Sequence, residues 1–159
     1  MVQHPEMCGM TSERNRNLTV KLILITIIIM FLQGIFNKGL DYSQFEGWLD
    51  KALSVTLPDG IEAFCFNIYE DGGNTFSIEL IGAGSFDKGN SDWACDEVFT
   101  NRDTPLKWKS KQSWERVQKN VEEVVMKYLS SGRYASVLSN RNAVGVGFVD
   151  GELVIIDKE

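Results

Sequence analysis

The sequence predicts an α+β domain: an antiparallel sheet of four or five strands from two hairpins, packed by two main helices on one face. Three observations predict it. Two segments carry apolar residues at helical spacing, near residues 41–54 and 110–131. Two pairs of alternating segments are joined by short Gly-containing turns. The 159 residues are 43% hydrophobic, enough for a core and too much for a disordered chain.

Asp41 to Ser54 has the spacing of an amphipathic helix. Tyr42, Phe45, Leu49 and Leu53 share one stripe, flanked by Trp48 and Ala52. Asp41 suits the N-cap, with Gln44 in the capping-box position. Pro58-Asp59-Gly60 then turns the chain. Ile61 to Glu70 alternates Phe64, Phe66 and Ile68 with Ala63, Cys65 and Asn67, as a strand does. Asp71 to Asn74 reads as a four-residue turn, and Thr75 to Ile81 as the returning strand. Gly82-Ala83-Gly84 is expected to loosen the chain, and Ser85 to Asp92 to form a loop. Asp92 to Phe99 is ambiguous and is taken as a short strand, with Trp93, Cys95 and Phe99 inward. Residues 100–109 contain Pro105 and are taken as irregular.

The strongest helical pattern is Ser110 to Ser131. Its stripe comprises Trp114, Val117, Val121, Val124, Val125, Tyr128 and Leu129, and Gly132 is its stop. Tyr134 to Leu138 suits a further helical turn. Ala143 to Val149 and Glu152 to Ile156 read as the second hairpin about Asp150-Gly151. Gly145 and Gly147 share one face of its first strand, and close packing beneath the long helix is the expected reason. All of this falls in residues 40–159, the single acidic domain that the sequence predicts.

Residues 1–39 form an extension. Residues 1–17 are polar and unpatterned, and disorder is expected. An apolar run follows from Leu22 to Leu32, behind Arg14, Arg16 and Lys21. Three readings compete: a signal-peptide core lacking a good cleavage site, an uncleaved anchor over 18–36, or translated upstream sequence before a start at Met30. With a start at Met30 the domain is expected to be cytoplasmic, and it is membrane-anchored instead if 18–36 is a real anchor.

The charge is −6 overall and unevenly spread. Residues 41–103 hold 13 acids against Lys51, Lys88 and Arg102, a balance of −10, whereas residues 104–159 are at +2. Such an acidic half repels phosphate backbones, so no nucleic-acid binding is expected and a basic protein is the sign-compatible partner. Lys107, Trp108, Lys109 and Lys111 form a basic patch too small to reverse that expectation.

The only histidine is His4, outside the predicted domain. That removes Ser-His-Asp and Cys-His nucleophile pairs, and with them most zinc sites. No catalytic residue, metal ligand set or cofactor is expected. Cys65 suits a buried position, and a pairing with Cys95 is open only if the domain is exported. Carboxylate chemistry at Glu70, Asp71, Asp92, Asp96 or Glu97 is the enzymatic alternative, a carboxylate-dependent hydrolase. The run Asp92, Trp93, Asp96, Glu97 and Phe99 mixes aromatic anchors with acids, the chemistry of a hot spot facing a basic partner; a core role for Trp93 and Phe99 competes with it.

In size, acidity and the run Asp92-Trp93-Ala94-Cys95-Asp96-Glu97, residues 40–159 resemble the immunity proteins of bacterial polymorphic toxin and contact-dependent inhibition systems. The resemblance implies a small non-catalytic module that neutralises a basic toxin domain. It transfers no site residue by residue. A membrane-tethered regulatory or scaffolding domain is the alternative of another class.

Overall fold

The structure, a computed structural model, describes residues 18–28 and 39–156. The chain divides into two compact units, Met1–Asn37 and Lys38–Glu159. In the first, residues 18–28 are helical (α1) and exposed throughout. No helix among the described residues is long and apolar enough to cross a membrane. The expectations for residues 1–17, for the later half of 18–36 and for a start at Met30 lie outside the described residues.

The second unit is an α+β domain with a mostly antiparallel sheet. Its elements are α2 (Tyr42–Leu53), β1 (Ala63–Gly72), β2 (Thr75–Ala83), a 3-10 turn (Ser91–Cys95), β3 (Glu97–Thr100), β4 (Leu106–Lys109), α3 (Trp114–Ser131), α4 (Ala135–Ser139), β5 (Ala143–Phe148) and β6 (Val154–Ile155). The strand order is β3-β2-β1-β5-β6, and β4 also pairs with β2.

The sheet has six strands rather than four or five, and it is not wholly antiparallel. β1 and β5 run parallel, with Phe64 beside Val144 and Phe66 beside Val146. A parallel pair needs a long crossover, and the stretch containing α3 and α4 supplies it. The second hairpin therefore joins the first through its own first strand. β1 is central, which explains its buried run from Ala63 to Phe66: neither face of it meets water.

α2 begins as its sequence predicts. The Asp41 carboxylate accepts from the Ser43 and Gln44 backbone N–H groups, satisfying two donors that the first turn leaves unpaired. Phe45, Leu49 and Leu53 of α2 enter one core with Val117, Val121, Val125 and Tyr128 of α3 and Phe64, Phe66 and Ile68 of β1. Each such side chain contributes about 1.5–3 kcal/mol by leaving water. The Tyr128 hydroxyl ties the helices together, donating to Asp50 at 2.6 Å and accepting from the Tyr134 N–H at 3.2 Å. α3 starts at Trp114, four residues later than predicted, because residues 110–113 instead dock on the first hairpin through Ser110 N–H to Asn74 O at 2.9 Å.

Several local expectations are corrected. The first turn contains two residues outside the strands, Gly73 and Asn74, both with positive φ, while Asp71 and Gly72 stay in β1. Gly82 and Ala83 belong to β2 and do not loosen it; a Cβ at Gly82 would meet Ile61 at 2.8 Å and Phe99 at 3.1 Å. The segment taken as one strand is a 3-10 turn followed by β3; the Asn90 side chain caps the turn and Trp93 anchors it. Residues 100–109 are not irregular throughout, since Leu106–Lys109 pair with Ile78–Thr75. Gly132 ends α3 at φ −70°, so it is not there for a left-handed cap; a Cβ would meet the Tyr128 ring at 2.6 Å. The second hairpin does not close on a two-residue Asp150-Gly151 turn: Gly151 N–H reaches Phe148 O at 2.9 Å, and pairing resumes only at Val146 with Val154.

Candidate functional site

The sheet face opposite the helices carries its own smaller core. Ala63, Cys65, Ile81, Ala83 and Ala143 form a floor, with Trp93 laid on it. Trp93 is 5% exposed and meets Phe86 edge to face at 5.4 Å. On the other side of this face the chain after β5 folds back. A Cβ at Gly145 would meet Leu153 Cδ1 at 2.9 Å, and one at Gly147 would meet Glu152 O at 2.8 Å. The two glycines therefore admit residues 152–153 rather than the long helix, which lies on the other face against Val144 and Val146.

Between the 3-10 turn and this returning segment lies a cleft of about 370 Å³. Asn67 and Tyr69 of β1 and Gly147 of β5 line it, with Asp92, Cys95 and Glu97 from the other wall. A second groove of about 570 Å³ adjoins it across Tyr69 and Phe148–Gly151. Glu70, Asp71 and Asp150 line that groove beside Trp114. The two linings share Tyr69, Phe148, Val149 and Gly151, and neither includes a lysine or arginine.

The residues predicted for partner binding are thus divided by the fold. Asp92 and Glu97 line the cleft. Asp96 is exposed at the end of the 3-10 turn, its backbone N–H bonded to Trp93 O. Trp93 is core, so its ring stiffens the wall and is not presented to solvent. Phe99 is half-buried and packs into the helix-side core, opposite the cleft. Cys95, expected inward, is exposed; Cys65 is buried, and both are free thiols.

One charged cluster was not legible. Glu79 is 2% exposed in the middle of β2. It accepts from the Tyr69 hydroxyl and from Arg102 Nε at 3.1 Å, and Arg102 Nη2 also reaches Glu97 at 2.8 Å. The cause is a break in the sheet edge. β3 pairs with Ile81–Ala83 and β4 with Thr75–Ile78, so residues 101–105 bulge out opposite Glu79 and Leu80. Asn101 pins the bulge, accepting from Leu80 N–H at 2.8 Å and donating to Leu80 O at 3.2 Å. Trp48 Nε1 secures it from α2, donating to Thr104 O at 2.8 Å.

The flanking charges hold the Arg102 guanidinium firmly protonated, Glu79 first and then Glu97. Burial, then the bond to Glu79, pushes the Tyr69 phenol up to about 12. Burial pushes the Cys65 thiol up to about 12 as well, which suppresses the thiolate. A phenol and a thiol so raised are poor nucleophiles near neutral pH. Among the described residues, no group of three or more His, Cys, Asp or Glu is arranged to hold a metal ion.

Trp114 was also missed as a surface residue. It sits at the first position of α3, is 57% exposed, and touches Phe148 edge to face at 6.4 Å. Its helical spacing from Val117 and Val121 placed it in the stripe, but the helix starts at Trp114 itself, by the groove at the rim of that core. Trp108 of the basic patch, in contrast, is buried and stacked on Phe76 at 5.9 Å, and Lys107 pairs with Asp71 at 3.2 Å.

No protein-family model matches the chain, and neither a curated protein nor a solved structure is significantly similar to it.

Proposed function

We propose that the domain is a non-catalytic protein-binding module that engages a basic protein through the cleft opposite its helices and the adjoining groove beside the start of α3, as an immunity protein does in neutralising a toxin domain. One observation carries this reading: the two adjoining concavities are lined by five carboxylates, those of Glu70, Asp71, Asp92, Glu97 and Asp150, and by no basic side chain. Two of the five are committed, Asp71 to Lys107 and Glu97 to Arg102. Glu70, Asp92 and Asp150 make no ion pair among the described residues and leave uncompensated negative charge at the surface. Such a field accelerates encounter with a basic partner and rejects acidic ones. On this reading the domain acts in the cytoplasm, before the toxin reaches its target.

The test is co-expression of the full chain with the toxin encoded next to it. Restored growth, lost again on reversing Asp92 and Asp150 to lysine, is the expected outcome. Continued cell death with the folded chain present refutes the reading.

A second reading is favoured by α1. Leu22, Ile23, Leu24, Ile25, Ile27 and Ile28 are all more than half exposed, which is costly in water and relieved at a lipid surface. In that case the domain is a membrane-tethered regulatory or scaffolding module. Membrane fractionation of the full chain separates the two.

A further inference from the structure

We propose that the groove beside Trp114 seats an arginine side chain presented by a basic protein segment. Its guanidinium would stack on the Trp114 indole and bond to Glu70 and Asp150. This rests on the reading of the domain as a binder of basic proteins, and it names the contact.

Three observations carry it. First, Trp114 differs from the other three tryptophans. Trp93 and Trp108 are buried and Trp48 is half-buried, whereas Trp114 is 57% exposed on the groove wall. Second, its ring is held in place. Trp114 meets Phe148 at 6.4 Å, Phe148 meets Phe76 at 6.3 Å, and Phe76 stacks on Trp108 at 5.9 Å. This row of rings runs from the core to the surface, so little side-chain freedom remains to be lost when a partner stacks on the indole. Third, the carboxylates around the groove suit a cation. Glu70 and Asp150 are exposed and unpaired among the described residues, and Asp71 already holds Lys107.

A positive helix terminus stands against a cation here, since Trp114 opens α3. Glu115 in that first turn offsets it. Its carboxyl is held below the usual range, chiefly by the Ser113 hydroxyl and then by its own backbone N–H, so it stays ionised against the terminus. Arginine is favoured over lysine because a planar guanidinium both stacks on an indole and forks to a carboxylate, whereas an ammonium is a compact, strongly hydrated charge. The apolar wall of half-buried Phe148 and exposed Val149 suits the side-chain stem.

The experiment titrates the full chain with a short peptide of alternating glycine and arginine, and with its lysine counterpart, by calorimetry and tryptophan fluorescence. The arginine peptide is expected to bind, more weakly at high salt, and to change the fluorescence. The lysine peptide should bind several-fold more weakly. Trp114→Ala and the double change Glu70→Gln with Asp150→Asn should each weaken arginine-peptide binding by about tenfold or more, the loss typical of an interface anchor. All three side chains are exposed, and urea midpoints matching the parent chain would show that the variants fold. Absence of arginine-peptide binding, or equal binding by Trp114→Ala, overturns the proposal. Peptide binding through Trp114 without toxin neutralisation leaves the groove standing and removes the immunity reading. Neutralisation undiminished in Trp114→Ala does the reverse.

Discussion

Gly145 and Gly147 offer a test in which chemistry is held constant and only the neighbour differs. Both lie on β5, on the face crossed by residues 152–153. Replacing a strand glycine by alanine should by itself stabilise by roughly 0.5–1 kcal/mol, because glycine has more backbone freedom to lose. At Gly145 the added methyl meets Leu153 Cδ1 at 2.9 Å, the far end of a flexible side chain that can rotate away. The steric cost should roughly cancel the gain, leaving a net change within about 0.5 kcal/mol of zero. At Gly147 the methyl meets Glu152 O at 2.8 Å and Leu153 Cα at 3.2 Å, both backbone. Backbone can yield only by lifting the returning segment, which is fixed at its ends by the Gly151 N–H to Phe148 O bond and by the pairing of Val154 with Val146. Forced overpacking of this kind costs about 1–3 kcal/mol. Urea denaturation of the two single variants against the parent measures both at once. With the glycine gain subtracted from that cost, Gly147→Ala should lie about 0.5–2 kcal/mol below Gly145→Ala, with unchanged denaturant slopes. Equal stabilities, or the reverse order, would refute the argument that residues 152–153 lie directly on this strand.

Three further outcomes follow from the same geometry. Tyr128→Phe removes a donor to Asp50 and strands the Tyr134 N–H. It should cost about 2–3 kcal/mol in chemical denaturation, and a loss below about 0.5 would contradict the bond's role. Trp93→Ala should cost about 2–4 kcal/mol as a core truncation, near the low end because its cluster is small; a near-neutral result would return Trp93 to the surface role its neighbours suggested. Stability should also fall in alkali. Tyr69 and Cys65 are raised to about 12 from 10.0 and 9.0, and Tyr128 is raised by burial and then by Asp50, so the fold keeps protons that the unfolded chain sheds. The sign is therefore stability fully present below about pH 9 and lost progressively as pH rises toward 12 and beyond. Tyr69→Phe should flatten part of that decline in a pH series of denaturation curves; an unchanged slope would show that the Tyr69 phenol is not raised by its burial and its bond to Glu79.

Elements whose signal is local were legible. Asp41 caps α2, and the stripe from Val117 to Tyr128 buries as its spacing predicts. The first hairpin is correct to within two residues at each end. Where reasoning failed, a long-range partner overrode the local pattern. β4 is a strand only because β2 offers a free edge; Leu106 to Lys109 alternate apolar and charged, but four residues directly after Pro105 are too short a run to announce it. Trp93 and Trp114 are the same residue type with opposite fates. Trp93 covers small residues on two central strands, and Trp114 stands where its helix begins.

By itself the sequence determined an acidic α+β domain with two amphipathic helices, a first hairpin, and negative charge concentrated before the long helix. These follow from composition and from periods of 3.6 and 2, which are properties of neighbouring residues. Only the tertiary structure decided that β5 lies parallel beside β1, that Glu79 is buried under Arg102, and that carboxylates from positions 70, 92, 97 and 150 line adjoining concavities with an exposed tryptophan. Those contacts join residues tens of positions apart. Which distant segments meet is set by how whole faces pack, and no window of sequence holds both partners.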